Sequence, residues 1–337
     1  MNVKSRAQVG AAFGVAALGL GILAAPASAD PGSTTEYRQL AGVGSDTTQY
    51  VVNGLGDTIT NTGGKVIASW NATGSATVTT KDPATKPNCT INRPNGSSAG
   101  ITALNNDITA GTGCLDFARS SRGPADTSTS DLTFIPYAKD GVTYATDLGS
   151  SVPTNLTKAQ LASIYTNCTY TNASGTTVTV APLLPQTGSG TRTFWLSAIG
   201  VSESQVGSCV TQGIQEHDGT AITAANQLMP YSIAQWIAQG KSLPGVEARR
   251  GESRLRSINS LAPTTGSGTA LALNTSFDSQ FLRDVYNVVQ TTRLAEPVIA
   301  DTFVGSASKV CSSSATLTTY GFGAVNNCGA TTLTGER

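Results

Sequence analysis

The sequence predicts an α/β protein. Strand-like and helix-like segments alternate along it. About 300 residues follow an N-terminal leader, long enough for two domains with sizeable cores. Short Ser- and Gly-rich loops sit where strands hand over to helices.

The elements follow in order. Ser45-Asp46-Thr47 reads as a helix N-cap, with Tyr50, Val51, Val52 and Leu55 supplying an apolar face. Lys65 to Trp70 and Leu132 to Tyr137 read as strands, the second carrying Pro136 near its end. Leu156-Thr157 opens a helix with Leu161, Ile164 and Tyr165 at helical spacing. Thr177 to Leu184 is a β-branched strand running into the turn Pro185-Gln186-Thr187-Gly188, and a helix with Phe194, Trp195 and Ile199 follows at once. Glu216 to Thr220 reads as a polar turn before a helix starting near Ile222, although a lone histidine beside acids could also serve as a base or a pH switch. Gly266-Ser267-Gly268-Thr269 reads as a connection. Phe277, Phe281, Leu282, Val285, Val288 and Val289 read as an amphipathic helix whose aromatics belong to a core.

The first 29 residues read as a cleaved signal peptide. Lys4 and Arg6 precede an apolar run from Val9 to Ala25, and Ala27-Ser28-Ala29 is a small-x-small cleavage site. The run is shorter than the roughly 20 apolar residues of a membrane span, and no cysteine follows it to carry a lipid. The mature chain is therefore expected to begin at Asp30, to be secreted or periplasmic, and to be frayed from Asp30 to Thr35. With 21 basic and 21 acidic residues the formal net charge is zero. No basic stripe is present for nucleic acid, and no polybasic patch for a membrane surface.

Six cysteines, at 89, 114, 168, 209, 311 and 328, all follow the leader. In an exported chain they read as three disulfides. Fifteen connectivities exist, and the simplest pairs neighbours: Cys89–Cys114, Cys168–Cys209 and Cys311–Cys328. There is no Cys-x-x-Cys, and His217 is the only histidine, so neither a metal nor a cofactor is expected.

Four loops carry the functional signal: Gly44-Ser45-Asp46-Thr47, Gly96-Ser97-Ser98-Ala99-Gly100, Arg119-Ser120-Ser121-Arg122-Gly123 and Gly188-Ser189-Gly190-Thr191-Arg192. Small residues allow close backbone approach, and free N–H groups at a helix start favour negative charge. Hydroxyls add neutral donors, while arginine adds a bidentate, charge-assisted fork. Together these suit a tetrahedral oxyanion, with Asp46 as a candidate acceptor for a protonated one.

These loops, in this order, resemble the phosphate-binding, substrate-capturing proteins of phosphate ABC transporters. Gly44 to Thr47 resembles the first ligand loop, Gly96 to Ile101 the glycine-rich serine loop, and Leu115 to Pro124 the segment ending Ser-Asp-x-Pro. Phe134 to Ala138 with Val142-Thr143 is similar to the strand crossing between lobes, Leu156 to Tyr165 to the helix of that region, and Thr187 to Arg192 to the phosphate loop. The resemblance covers roughly residues 40 to 240. It implies two α/β lobes of class II periplasmic-binding-protein type, closing like a hinge. Lobe 1 would combine 30–137 with 246–337, and lobe 2 would be 138–245. It also implies a monomer that binds inorganic phosphate or a similar oxyanion for an ABC permease. Ser45, Asp46, Thr47, Ser97, Ser98, Ser120, Ser121, Arg122, Gly188, Ser189, Gly190, Thr191 and Arg192 would line the site. Ser121 stands where family members carry the aspartate that accepts the phosphate proton, and Pro185 where they often carry an arginine. Two other functions compete. A surface adhesion or structural protein would suit the Ser/Thr-rich composition. A serine hydrolase would need Ser189 and His217 within hydrogen-bond reach.

Overall fold

The protein, seen in a computed structural model, is described at Asp30 and over residues 36–336. Residues 1–29, where the signal peptide is expected, and residues 31–35 and 337 lie outside the described residues. Asp30 itself is held: its carboxylate accepts from Arg93 at 2.7 and 3.1 Å and from the Asn71 N–H at 2.9 Å.

The elements that position the site are β1 (Leu40–Gly44), α1 (Gln49–Thr58), β2 (Ile67–Ser69), α2 (Ser97–Ala110), β3 (Phe117–Ser120) and β4 (Leu132–Thr146). After them come α3 (Lys158–Asn167), β5 (Ala181–Pro185), α4 (Gly190–Ile199), β6 (Thr211–Ile214), β7 (Gln227–Ser232), α5 (Ile233–Gly240) and β8 (Leu282–Gln290). The strands join in the order β6-β5-β7-β4-β8-β3-β1-β2. The two ends of this path are parallel, β2-β1-β3 and β6-β5-β7, as helices returning between strands require. Its middle is antiparallel, because β4 and β8 pair along nine positions of β8, from Leu282 opposite Gly141 to Gln290 opposite Leu132.

β4 is 15 residues long and serves both lobes. Its first half contributes Ile135, Tyr137 and Ala138 to a core with Leu40, Val51, Val52, Leu55, Phe117, Val285 and Val289. On the other face of that sheet Phe134 and Leu132 join Val43, Ile101, Leu104 and Val288. Its second half contributes Val142 and Tyr144 to a separate core with Leu161, Ile164, Tyr165, Trp195, Leu228 and Ile237. The fold is therefore two α/β lobes sharing β4 and β8.

Several elements differ from the sequence expectation. The segment from Phe277 to Val289 is not a helix: a single turn at Ser279–Phe281 leads directly into β8. Burial along β8 starts in strict alternation, with Arg283 and Asn287 among the inward positions. Those two polar residues mask the period of two that marks a strand. No helix starts at Ile222: a turn at Gly219–Ala221 gives way to β7, and the helix follows at Ile233. The strand expected to stop at Tyr137 continues to Thr146, and Thr177 to Leu184 breaks into a hairpin arm, Thr177–Thr179, and β5. Ile258, Leu273, Phe277 and Phe281 pack into the core of the middle lobe. The segment from Ile258 to Phe281 therefore packs with the middle of the chain, ahead of β8.

All three neighbouring disulfides form: Cys89–Cys114, Cys168–Cys209 and Cys311–Cys328. No described helix is long and apolar enough to cross a membrane.

Candidate anion-binding cleft

Three helices point their N-termini at one place between the lobes. β1 ends at Gly44, whose φ of 121° is open to glycine, and the chain turns through Ser45 to Thr48 into α1. α2 starts beside it, so close that a Cβ on Gly100 would lie 2.5 Å from the Gly44 Cα. From the other lobe, α4 starts at Gly190 with Ser189 as its N-cap, the Ser189 hydroxyl accepting from Arg192 N–H at 2.9 Å. A Cβ on Gly190 would collide with the hydroxyls of Ser97 and Ser121. The lobes thus meet with no room for one more methyl.

The contacts across the cleft are polar. Ser98 N–H donates to the Gly188 carbonyl at 3.1 Å. The Thr47 and Thr191 hydroxyls lie 3.2 Å apart, and both meet His217 Nε2, at 3.0 and 3.3 Å. Ser97 and Ser121 hydroxyls are 3.2 Å apart, and Ser121 N–H donates to Ser97 Oγ at 3.0 Å. Ser45, Thr47, Ser97, Ser121, Ser189 and Thr191 are all fully buried.

Two buried ion pairs frame these hydroxyls. On β8, Arg283 donates to Asp140 of β4 at 2.9 and 3.1 Å, and its Nη2 also reaches Thr47 and Thr191 at 3.2 and 3.0 Å. Asp140 further accepts from Ser232 Oγ at 2.9 Å and from Ala234 N–H at 3.1 Å. Asp46 accepts from Arg249 at 3.1 and 3.3 Å and from Gln215 at 3.2 Å. Gln235 of α5 holds the same loop by donating to the Asp46 and Thr47 carbonyls, each at 2.9 Å. Arg119, fully buried in β3, makes no ion pair among the described residues; it donates to the carbonyls of Ser45, Gly42 and Gly44 and to Ser69 Oγ. Burial lowers its pKa to about 10, which still leaves it charged at neutral pH. The wall behind the first loop therefore carries a buried positive charge that is met by Asp46 and Asp30 only at a distance.

His217 is neutral. Burial, then Arg283 and Arg249, hold its pKa well below the ordinary histidine value. Its Nδ1 accepts from Ser232 N–H at 3.3 Å, so the proton is assigned to Nε2, aimed at the threonine hydroxyls. The neighbouring Glu216 is fully buried, and neither carboxyl oxygen has a hydrogen-bond partner among the described residues. Its pKa is pushed up to about 7, first by burial and then by Asp46. Ser45 Oγ, Arg249 Nε and Arg283 Nη1 are likewise buried without a hydrogen-bond partner among those residues. Beside Arg122 and Arg283 a cavity of about 460 Å³ opens, lined also by Phe194, Leu282 and Tyr286. Among the described residues no cluster of His, Cys, Asp and Glu could hold a metal.

Residues 29–295, well over half of the chain, match the family model described as the PBP superfamily domain. The chain belongs to the PBP superfamily. As a PBP-superfamily fold it is similar to an ABC-type phosphate transport receptor from Vibrio cholerae, at 17% identity and a TM-score of 0.54, covering 85% of this chain and 100% of that one. A Clostridium perfringens protein solved with bound phosphate is similar at 15% identity and a TM-score of 0.55, over 85% of this chain and 99% of that one. A phosphate-binding protein from Stenotrophomonas maltophilia is similar at 12% identity and a TM-score of 0.51, over 87% and 92%. At such identities the likeness establishes the two-lobed fold. No curated protein sequence matches the chain.

In this PBP-superfamily chain the sequence-predicted residues fall into two groups. Ser45, Asp46, Thr47, Ser97, Ser121, Gly188, Ser189, Gly190 and Thr191 meet in the cleft. Ser98 and Arg122 pair at its rim, Arg122 Nη2 donating to Ser98 Oγ at 2.8 Å. Ser120 turns back on its own loop, donating to the Arg122 carbonyl at 2.7 Å. Arg192 points away, to Glu203 at 2.6 Å, Gln212 at 2.8 Å and the Pro185 carbonyl at 2.9 Å. Asp46 does not cap α1, whose N-cap is Thr48. Arg119, Asp140, Glu216, His217, Gln235, Arg249 and Arg283 were not singled out as ligand groups. Of these, Arg119 stood in one of the four loops, and Glu216 and His217 were marked by the one histidine of the chain; the polar turn expected there forms, but both of its residues are fully buried.

Proposed function

We propose that the chain is a secreted solute-binding protein that captures a tetrahedral oxyanion, phosphate foremost, between its lobes, for uptake through an ABC permease or for scavenging. One observation carries this reading: three helix N-termini and six buried hydroxyls from both lobes come together in the cleft, with the buried Arg119 bonded to the backbone of the first loop. Helix starts and hydroxyls donate to an oxyanion without needing a countercharge for each oxygen. The reading takes the protein as a monomer without cofactor and without catalysis. The hydrolase alternative lacks support, because Ser189 Oγ caps α4 while His217 Nε2 meets Thr47 and Thr191.

The test is calorimetry and thermal melting of the chain from Asp30 with phosphate, arsenate, phosphonate and sulfate, together with small-angle scattering. A ligand at a hundred times its dissociation constant stabilises by about 2.7 kcal/mol, so the melting temperature rises, and the radius of gyration shrinks if the ligand holds the lobes shut. Four anions that leave both unchanged overturn the reading.

A further inference from the structure

We propose that the cleft takes an organic phosphate: a phosphate monoester whose phosphoryl group sits among the helix starts and whose flat organic group lies in the cavity between α4 and β8. This rests on the oxyanion reading above and narrows it to a class of ligand.

The cavity of about 460 Å³ is large for a bare tetrahedral anion and falls within the range of about 300–1,000 Å³ that holds small organic ligands. Both lobes build it. Phe194 and Ser197 of α4 line one side, Pro124 and Ala125 beyond β3 another, and Leu282 and Tyr286 of β8 a third. It is present while the lobes already touch through Ser98 and Gly188 and through Thr47 and Thr191.

Arg283 joins this cavity to the anion point. Its Nη2 reaches the Thr47 and Thr191 hydroxyls at 3.2 and 3.0 Å, while the carbon of the same guanidinium lies 5.3 Å from the centre of the Phe194 ring. Its Nη1 is buried with no hydrogen-bond partner among the described residues, so its donors remain for a ligand oxygen. α4 makes the same connection. Thr191 and Phe194 lie three residues apart on one face of it, a rise of about 4.5 Å, which an ester oxygen and the ring it carries can span.

The lining suits such a group. Phe194 and Tyr286 present half-buried aromatic rings, which favour a flat partner. The one carboxylate of the lining, Asp284, is bonded to Lys139 at 2.6 Å, and Arg283 is bonded to Asp140. Arg122 makes no ion pair among the described residues; it donates to Ser98 Oγ and to the Gly123 carbonyl. The wall is therefore positive, as an anionic ester requires.

Calorimetry of the chain from Asp30 with inorganic phosphate, phenyl phosphate and phenol reads this directly. We expect phenyl phosphate to bind about three- to tenfold tighter than inorganic phosphate, and phenol, the ring without the phosphoryl group, not to bind. Ser197 is exposed and lies beyond Phe194 from the helix start, so Ser197→Trp fills the cavity from its outer side. That variant should weaken phenyl phosphate by about tenfold or more and inorganic phosphate by less than about twofold. Phe194→Leu keeps an apolar side chain but loses the flat face, and should erase the ester's advantage. Phenyl phosphate binding no tighter than inorganic phosphate, phenol binding as well as the ester, or Ser197→Trp weakening both anions alike or neither overturns the proposal. If Ser197→Trp does not fold, Phe194→Leu decides alone, and an advantage that survives it overturns the proposal. Inorganic phosphate binding without an ester advantage refutes only the cavity's role, whereas neither anion binding refutes the oxyanion reading itself.

Discussion

Removing Arg249 tests whether the Asp46 pair works in folding or in closing. The two residues come from opposite lobes: Asp46 lies on the loop after β1, while Arg249 is tied through its backbone to Gln239 and Gly219. In the closed form both are buried. Removing one partner of a buried pair costs about 3–5 kcal/mol. Two features lower that figure in Arg249→Ala: Gln215 still donates to Asp46 at 3.2 Å, and opening the cleft returns Asp46 to water. The penalty therefore falls on closure, at about 2–3 kcal/mol, or about 30- to 150-fold weaker anion binding. The ligand-free melting temperature should move by less than about 2 °C, because the open protein avoids the penalty. Calorimetry gives the affinity and scattering gives the fraction closed. A variant that binds within about threefold of wild type refutes the latch. So does one that loses many degrees of melting temperature with its affinity intact, because the pair would then belong to folding. Asp46→Asn should weaken phosphate and sulfate alike, whereas an Asp46 that accepted the ligand's proton would lose phosphate far more.

Gly190→Ala should abolish anion binding while leaving the ligand-free melt within about 1 °C of wild type, since the added methyl meets Ser97 and Ser121 only when the lobes are together. Replacing Cys168 and Cys209 by alanine opens a loop of sequence separation 41 and should lower stability by about 4 kcal/mol in the chain-entropy account; a melt matching that of the disulfide-bonded wild type would refute the contribution.

What the sequence made legible follows from local chemistry. Thr157 at the start of α3 forms a capping box with Gln160, and the Leu161, Ile164, Tyr165 face is buried as its spacing predicts. The serine loops were readable because each announces a helix start. The ion pairs were not. Arg249 lies in a stretch with no regular element, and Arg283 lies 143 residues from Asp140, so only the pairing of β4 with β8 brings them together. The same arginine disguised its strand as a helix: an inward-facing charge looks like a break in the apolar pattern until its carboxylate is known. Pro185 was similarly read as the start of a turn, although it ends β5, which pairs on both sides.

The pairing of Arg283 with Asp140 occurs at the rung where β4 passes from one lobe to the other, and the same guanidinium touches Thr47 and Thr191. On the oxyanion reading, fulcrum and binding point would therefore nearly coincide. For a given angle of rotation, a group close to the axis travels a short arc, while Ser98, Gly188, Asn95 and Gln186 farther out sweep a long one. An oxyanion held there would be gripped on a short lever arm, so a small misfit in its radius would become a large gap at the rim. An anion one bond length too big would keep Ser98 from Gly188 and leave the amides of Asn95 and Gln186 apart, and the jaws would register its size as a failure to meet.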